Sequence, residues 1–360
     1  MSTYAEAGVN IELGDESSRI AYSAAKATFP VRKGMIGEPL IQDGGFAGAL
    51  DMGDFYLVMG DDGVGTKMDV AIQADRFETL GEDLLAMVID DAICVGAEVI
   101  TMTNTIDANK VNPLQIGKMM EGLKNACIKQ KVTIAGGEIA ELGESVKDLI
   151  WNATALGIVE KEKLITTKKV QAGDQVIALK SNLLRSNGFS LVRYILKNHF
   201  GEKWHLEKFT DGRTWGEVVL TPSKLYHHAV LELIGRFKKA RKVDVHGIAH
   251  ITGGGIPGNI NRILKANQLG VELTDLWAPQ DPVLQLQKFG AVQDREAYQT
   301  WNMGNGMVLV VAPEDVAKTL EILTQNDIQA KVCGKVIPEP KIRFTSCGYF
   351  QKGEVFEYDL

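Results

Sequence analysis

Cysteine is scarce in this chain: 360 residues contain four, Cys94, Cys127, Cys333 and Cys347, far apart and without a CxxC pair. That spacing excludes a disulfide scaffold and the clustered thiolates of a structural zinc site. It fits a reducing compartment, with Cys94 and Cys127 expected on apolar helix faces. Long apolar runs are missing too. No stretch approaches the roughly 18 uninterrupted apolar residues of a membrane span. The opening residues, Met1 to Ser18, have no basic start followed by an apolar stretch, so no signal peptide is expected and the cytoplasm is the expected compartment. Excess positive charge is also absent. The formal net charge is −7, and Lys and Arg are scattered apart from Lys238, Lys239, Arg241 and Lys242. Binding to a nucleic-acid backbone needs clustered cations; this short run reads as solvated surface, and neither nucleic acid nor membrane is an expected partner. No repeat of fixed period is present, which excludes a solenoid.

The composition that remains, 45% hydrophobic and 24% charged, suffices for the cores of two ordinary domains. Strand and helix signals alternate. Phe55 to Met59 reads as a buried strand. Leu80, Leu84, Met87, Val88 and Val95 recur at helical spacing, as do Ile116, Met119, Met120 and Leu123. Val132 to Ala135 and Ile150 to Val159 read as strands. After the charged Glu160 to Lys163, a new strand opens at Gly173, which puts a domain boundary near Thr166. Helices are expected around 190–200 and 223–237, then a strand ending in Gly253-Gly-Gly255. Asn305 to Lys335 reads strand, helix, strand, with Pro313 in the first helical turn. The expected organisation is a two-domain α/β (α+β) protein with domains at 1–165 and 166–338 and a tail at 339–360.

Four segments carry chemistry. Asp62-Gly-Val-Gly-Thr-Lys67 follows a strand. A carboxylate, two glycines, a hydroxyl and a lysine in that order suit a metal–triphosphate complex: Asp62 to ligate Mg²⁺, Gly63 and Gly65 to admit phosphate to the backbone, Thr66 beside them, and Lys67 as a point charge. The pattern is not a P-loop, and a charged tight turn is the plain alternative. Asp91 continues the apolar stripe of its helix and is expected to face inward, where it needs a cation, strong donors or a core arginine; Asp90 is expected to face outward. Glu138 follows Gly136 and Gly137 directly after a strand. Asp62, Asp91 and Glu138 together would make an oxygen-rich Mg²⁺ site. Finally, His250-Ile-Thr-Gly-Gly-Gly255 leads into a helix start near Pro257, a cradle for an anion. His250 and Thr252, two apart in the expected strand, should share a face.

With these segments in view, the chain resembles the AIR-synthetase family from end to end. The matching stretches are Tyr4 to Ile11, Gly44-Gly-Phe-Ala-Gly48, Asp62 to Lys67, Asp91 with Gly96-Ala-Glu98, Gly136-Gly-Glu138, Ser186-Asn-Gly-Phe-Ser-Leu-Val-Arg193, Thr221-Pro222, Ala249 to Gly255 and Asn302-Met-Gly304. The resemblance implies an N-terminal sheet domain that dimerises, a C-terminal mixed-sheet domain, and ATP with a small ribonucleotide bound near the cleft between them. It implies that ATP phosphorylates the formamide oxygen of formylglycinamidine ribonucleotide. The amidine nitrogen then closes the imidazole ring and phosphate leaves. Carried over, the nucleotide side comprises Gly44, Gly45, Asp62, Gly63, Gly65, Thr66 and Lys67, and the substrate side Ser186, Asn187, Thr252, Gly253, Gly254 and Gly255. Lys67, Asn104, Arg185 and His250 are the expected catalytic residues.

Three positions depart from the family pattern. Arg185 replaces a histidine before Ser-Asn-Gly, Asn104 replaces an aspartate, and Asn109 replaces a glycine. A guanidinium stays protonated and cannot be a general base: Arg185 is expected to grip a substrate phosphate, and the alternative, if the replaced histidine exchanges a proton, is that it cripples cyclisation. The alternatives are a relative acting on another small amide or phosphate substrate, of which thiamine-phosphate kinase is the nearest sort, and a non-catalytic nucleotide binder. Selenophosphate synthetase is disfavoured because no Cys or Lys follows a Gly-rich N-terminal loop. A maturation protein is disfavoured because Tyr358-Asp-Leu360 has no terminal Cys.

Overall fold

The computed structural model describes residues 6–8, 10–40 and 45–360. In chain order the first half runs α1 (Ile11–Thr28), β1 (Glu38–Leu40), β2 (Gly48–Asp51), β3 (Phe55–Gly63), α2 (Lys67–Ala74), α3 (Leu80–Cys94), β4 (Glu98–Ala108), α4 (Pro113–Gln130), β5 (Thr133–Glu141) and β6 (Leu149–Glu160). The second half runs β7 (Gln175–Lys180), α5 (Phe189–Phe200), α6 (Trp215–Val219), α7 (His227–Ile234), β8 (Val245–His250), α8 (Gly255–Leu264), β9 (Gly270–Leu273), α9 (Asp281–Gly290), α10 (Asp294–Thr300), β10 (Asn305–Val311), α11 (Val316–Gln325), β11 (Ala330–Ile337), β12 (Lys341–Thr345) and β13 (Val355–Asp359).

Strict alternation along β6, with Trp151, Ala153 and Ala155 buried and Asn152, Thr154 and Leu156 on the opposite side, gives the N-terminal sheet one packed face. The six strands are ordered β1-β2-β3-β6-β4-β5, with β4 and β5 parallel. Helix α3 packs on the face carrying Val58, Met102 and Ala155. Among the described residues no helix covers the other face, where Met59 and Ile150 are 38% and 46% exposed. The second sheet is ordered β13-β12-β9-β11-β7-β10-β8, and all seven residues of β10 are buried. Both sheets are mixed, as expected for this α/β class.

Three boundaries correct the sequence reading. Residues 339–360 are not a separate tail: β12 pairs in parallel with β9, and β13 closes the edge beyond it. Asp294, fully buried, holds the connecting loop by accepting from Ser346 Oγ at 2.6 Å and from the amides of Phe350 and Gln351 at 3.0 Å each. Strand β5 runs through Gly136, Gly137 and Glu138, so Glu138 lies within the strand. Strand β8 ends at His250, so Thr252 is already in the loop. Both long helices expected in the first half are present as α3 and α4, and Cys94 and Cys127 are buried on them.

Candidate active site

The site is built where the end of β3, the inner side of α3 and the end of β8 converge. β3 carries Asp62 one residue before its end, and its neighbour must be glycine. A Cβ on Gly63 would lie 2.1 Å from Asn152 Oδ1 and 2.9 Å from Trp151 O, because β6 passes too close. The Gly63 amide donates to Asp62 Oδ1 at 2.7 Å. Asp91 on α3 accepts from His250 Nδ1 at 2.8 Å. That bond orients the buried imidazole, whose Nε2 has no hydrogen-bond partner among the described residues. Desolvation pushes the Asp62 carboxyl above its usual range, and the negative charge of Asp91 adds to this; the Gly63 amide and His250 oppose it. A carboxyl whose charge is disfavoured by a neighbouring carboxylate makes a place where a cation is welcome.

Two helix starts border this group. Thr66 Oγ1 lies 3.2 Å from Ser190 Oγ, which brings the glycine loop against the first turn of α5. Ser186 and Asn187 form the approach to α5, and Gly188, at φ 74°, caps it. Ser186 Oγ is buried without a partner. On the other side, Thr252, Gly253 and Gly254 lead into α8. Gly255 has φ 58°, and a Cβ there would meet Tyr298 O at 1.8 Å, so no other residue fits. Asn259 Nδ2 braces the turn by donating to Gly253 O at 3.1 Å and Gly255 O at 2.8 Å. Backbone amides at helix starts suit phosphate groups. Gly45 and Phe46 line a cavity of about 800 Å³ with Tyr56, Ile165, Ile248 and Arg262; Gly44 lies outside the described residues.

Several expected site residues lie elsewhere. Lys67 is fully buried. Its Nζ is 2.7 Å from Asp83 and donates to Arg185 O at 3.0 Å and Thr221 O at 2.9 Å. A lysine so committed cannot serve as a free charge for phosphate. Arg185 is 1% exposed and turns inward: one guanidinium nitrogen is 2.6 Å from Asp90, another donates to Lys224 O at 3.0 Å, and the group lies 5.1 Å from the Tyr226 ring centre. It is therefore not a phosphate clamp. Asp90, expected outside, is fully buried, while Asp91 keeps some solvent contact. The core arginine considered for Asp91 belongs to its neighbour.

Asn104 is 6% exposed and accepts from Trp151 Nε1 at 3.0 Å. It lies two strands from Asp62, in the row Asp62, Ala153, Asn104, Gly137, or about 10 Å away at the usual strand spacing. Glu138 is on the edge strand, three strands and about 14 Å from β3. Glu138 thus lies apart from Asp62 and Asp91, of which the second raises the pKa of the first. Among the described residues no group of three or more His, Cys, Asp or Glu is arranged to hold a metal ion. Sequence reasoning missed Asp83 and Asp90. Their spacing of seven along an apolar helix was the available signal, since it places both on one face.

The family model for the AIR synthase related protein, N-terminal domain, matches residues 44–159, and that for the C-terminal domain matches 171–346. These matches define a two-domain AIR synthase-related protein. A phosphoribosylformylglycinamidine cyclo-ligase of Thermococcus kodakarensis is 36% identical over 348 residues, covering 97% of this chain and 99% of that one. One of Pyrococcus furiosus is 37% identical over 325 residues, covering 90% and 92%. The chain belongs to the phosphoribosylformylglycinamidine cyclo-ligase family, a family of enzymes. Among solved structures, the HypE–HypF complex has a chain of TM-score 0.61 at 17% identity, covering 88% of this chain and 93% of that one. Phosphoribosylformylglycinamidine synthase II of Thermotoga maritima also gives 0.61, at 15% identity, covering 88% and 46%. At these identities the likeness is one of fold.

Proposed function

We propose that this protein closes the imidazole ring of 5-aminoimidazole ribonucleotide from formylglycinamidine ribonucleotide, using ATP and releasing ADP and phosphate. The observation that carries the reading is the near full-length identity to cyclo-ligases, combined with a cleft in which Asp62, Asp91 and His250 sit between the glycine loop and two helix starts. An amide oxygen leaves poorly and a phosphate leaves well, so activation requires a site that tolerates polyanions. The chemistry of the residues suits this. Asp62 and Asp91 would hold Mg²⁺ jointly with ATP phosphates, as one or two carboxylates commonly do, and the ion would offset charge on the transferring phosphoryl group. Glu138 is not part of that pair within one chain. The loop at Gly63, Gly65 and Thr66 and the start of α8 at Thr252 to Gly255 would bind phosphate through backbone amides. His250 Nε2 would hold or accept a proton during attack by the amidine nitrogen. The T. maritima relative PurL has been solved with ATP and with ADP, which favours the nucleotide assignment.

The second element of the proposal is a homodimer through the uncovered face of the N-terminal sheet. Leu57 pairs with Ile158 and Met59 with Leu156 on that face, an apolar patch of the kind that a second copy covers. The reaction is tested by incubating the protein with ATP, Mg²⁺ and formylglycinamidine ribonucleotide, measuring ADP and aminoimidazole together. Equal yields of both are expected. ADP without imidazole would transfer the protein to another amide or phosphate substrate, and neither product would leave a nucleotide binder. In the same assay Asp62→Asn should raise the KM for Mg²⁺–ATP about tenfold or more, equivalent to about 1.4 kcal/mol.

A further inference from the structure

Helix α3 presents two buried carboxylates, Asp83 and Asp90, to the C-terminal half. Asp83 Oδ1 accepts from Ser223 N at 3.0 Å and Ser223 Oγ at 2.6 Å, and Oδ2 lies 2.7 Å from Lys67 Nζ. Lys67 passes the contact on to the backbone oxygen of Arg185, whose guanidinium returns to Asp90. Between the two carboxylates, Met87 Sδ receives Asn187 Nδ2 at 3.7 Å. The circuit therefore grips one short stretch, residues 185–187, from three sides. Arg185 has φ 59°, in the left-handed region that is uncommon for a non-glycine residue.

The circuit is poorly made as a pure stabiliser. Asp90 Oδ1 and Arg185 Nε are buried without hydrogen-bond partners, so the pair forgoes the bidentate geometry that best offsets desolvation. What the imperfect pair does achieve is placement. The next residue, Ser186, points a buried, unpartnered hydroxyl, and the turn delivers the start of α5 to Thr66.

We propose that Arg185, acting through Asp90 and Lys67, is a positioning residue that sets the Ser186–Asn187 turn for an anionic group of the ribonucleotide. This rests on the proposed reaction for the identity of the ligand, though not for the circuit itself. The arginine that stands where the family carries histidine is thus matched to an internal partner. Neither phosphate nor proton transfer requires its guanidinium directly.

The test has two independent readouts, steady-state kinetics and amide hydrogen exchange over residues 185–190, on Asp90→Asn, Arg185→His, the double Asp90→Asn/Arg185→His, and the apolar double Asp90→Leu/Arg185→Met. Each single variant should lower kcat about tenfold or more, leave the KM for ATP within about twofold, and speed exchange at 186–188. The hydrogen-bonding double should recover most of the loss. The apolar double should melt no lower than the parent while remaining slow, a combination that a merely structural role cannot produce. A higher or unchanged kcat in Arg185→His would overturn the proposal, as would unchanged exchange at 186–188 in both singles. If the parent forms no aminoimidazole, the proposed reaction fails, and exchange still decides whether the circuit positions the turn.

Discussion

The two faces of the N-terminal sheet obey different rules. The face under α3 is closed by apolar packing and by charges removed from water, and it carries the C-terminal half through Lys67–Asp83, Arg185–Asp90 and the Val99 amide, which donates to the His227 side chain at Nε2, 3.0 Å away. The opposite face has the same alternation of residues and the same register, yet among the described residues Met59 and Ile150 stay exposed. The homodimer proposed above would cover that second face. At the edge of the closed face, desolvation and the neighbouring Asp91 charge push the Asp62 carboxyl above its usual range.

The largest break in this contrast should come from Lys67→Met. It would leave Asp83 buried and unpaired and cost about 3–5 kcal/mol of stability, read by urea denaturation. A loss below about 1 kcal/mol would show that Asp83 finds other partners. Acid should act next, through His227. Burial, with the charge of Arg236 adding, pushes this imidazole down to about 3. A depressed histidine contributes stability that is fully present above its unfolded value of 6.5 and is lost as pH falls toward the folded value. The slope approaches about 1.4 kcal/mol per pH unit below 6, and His227→Gln should flatten that part of the profile.

On the bare face, Met59→Lys should leave folding nearly unchanged and shift the protein from dimer to monomer in sedimentation at micromolar concentration. A parent that is already monomeric would end the dimer proposal. The smallest effect is expected from Lys161→Ala. Its ion pair with Asp51 at 2.7 Å is solvent-exposed at both ends, so the denaturation midpoint should not move measurably.

Much of this architecture was legible in the residues. The helical stripe from Leu80 to Val95 and the alternation from Ile150 to Val159 signalled α3 and β6, because burial of one face imposes a period on the chain. Gly63 and Gly255 marked the turns beside Asp62 and His250 where the backbone packs too closely on Trp151 and Tyr298 to admit a side chain. Less legible was the orientation of individual polar groups. Asp90 and Asp91 are adjacent, and a helix that is buried nearly all round gives no free polar side by which to rank them. Lys67 and Arg185 read as phosphate ligands because their types suit phosphate, and nothing local announces that Asp83 and Asp90 claim them first. Residues 339–360 looked detached after Pro338-Glu-Pro340, because pairing with β9 depends on a strand about 70 positions earlier.

The sequence by itself determined the class of protein, the alternation of elements and the position of its glycine turns, because these depend on periodicity and on short-range backbone geometry. Only the tertiary structure decided which charges face the cleft and which the core. Asp91 and His250, 159 positions apart, meet at the cleft, whereas Arg185 and Asp90, 95 apart, meet in the core. That choice depends on which carboxylate loses its water when the two halves close on α3, and desolvation is a property of the packed assembly that no single segment carries.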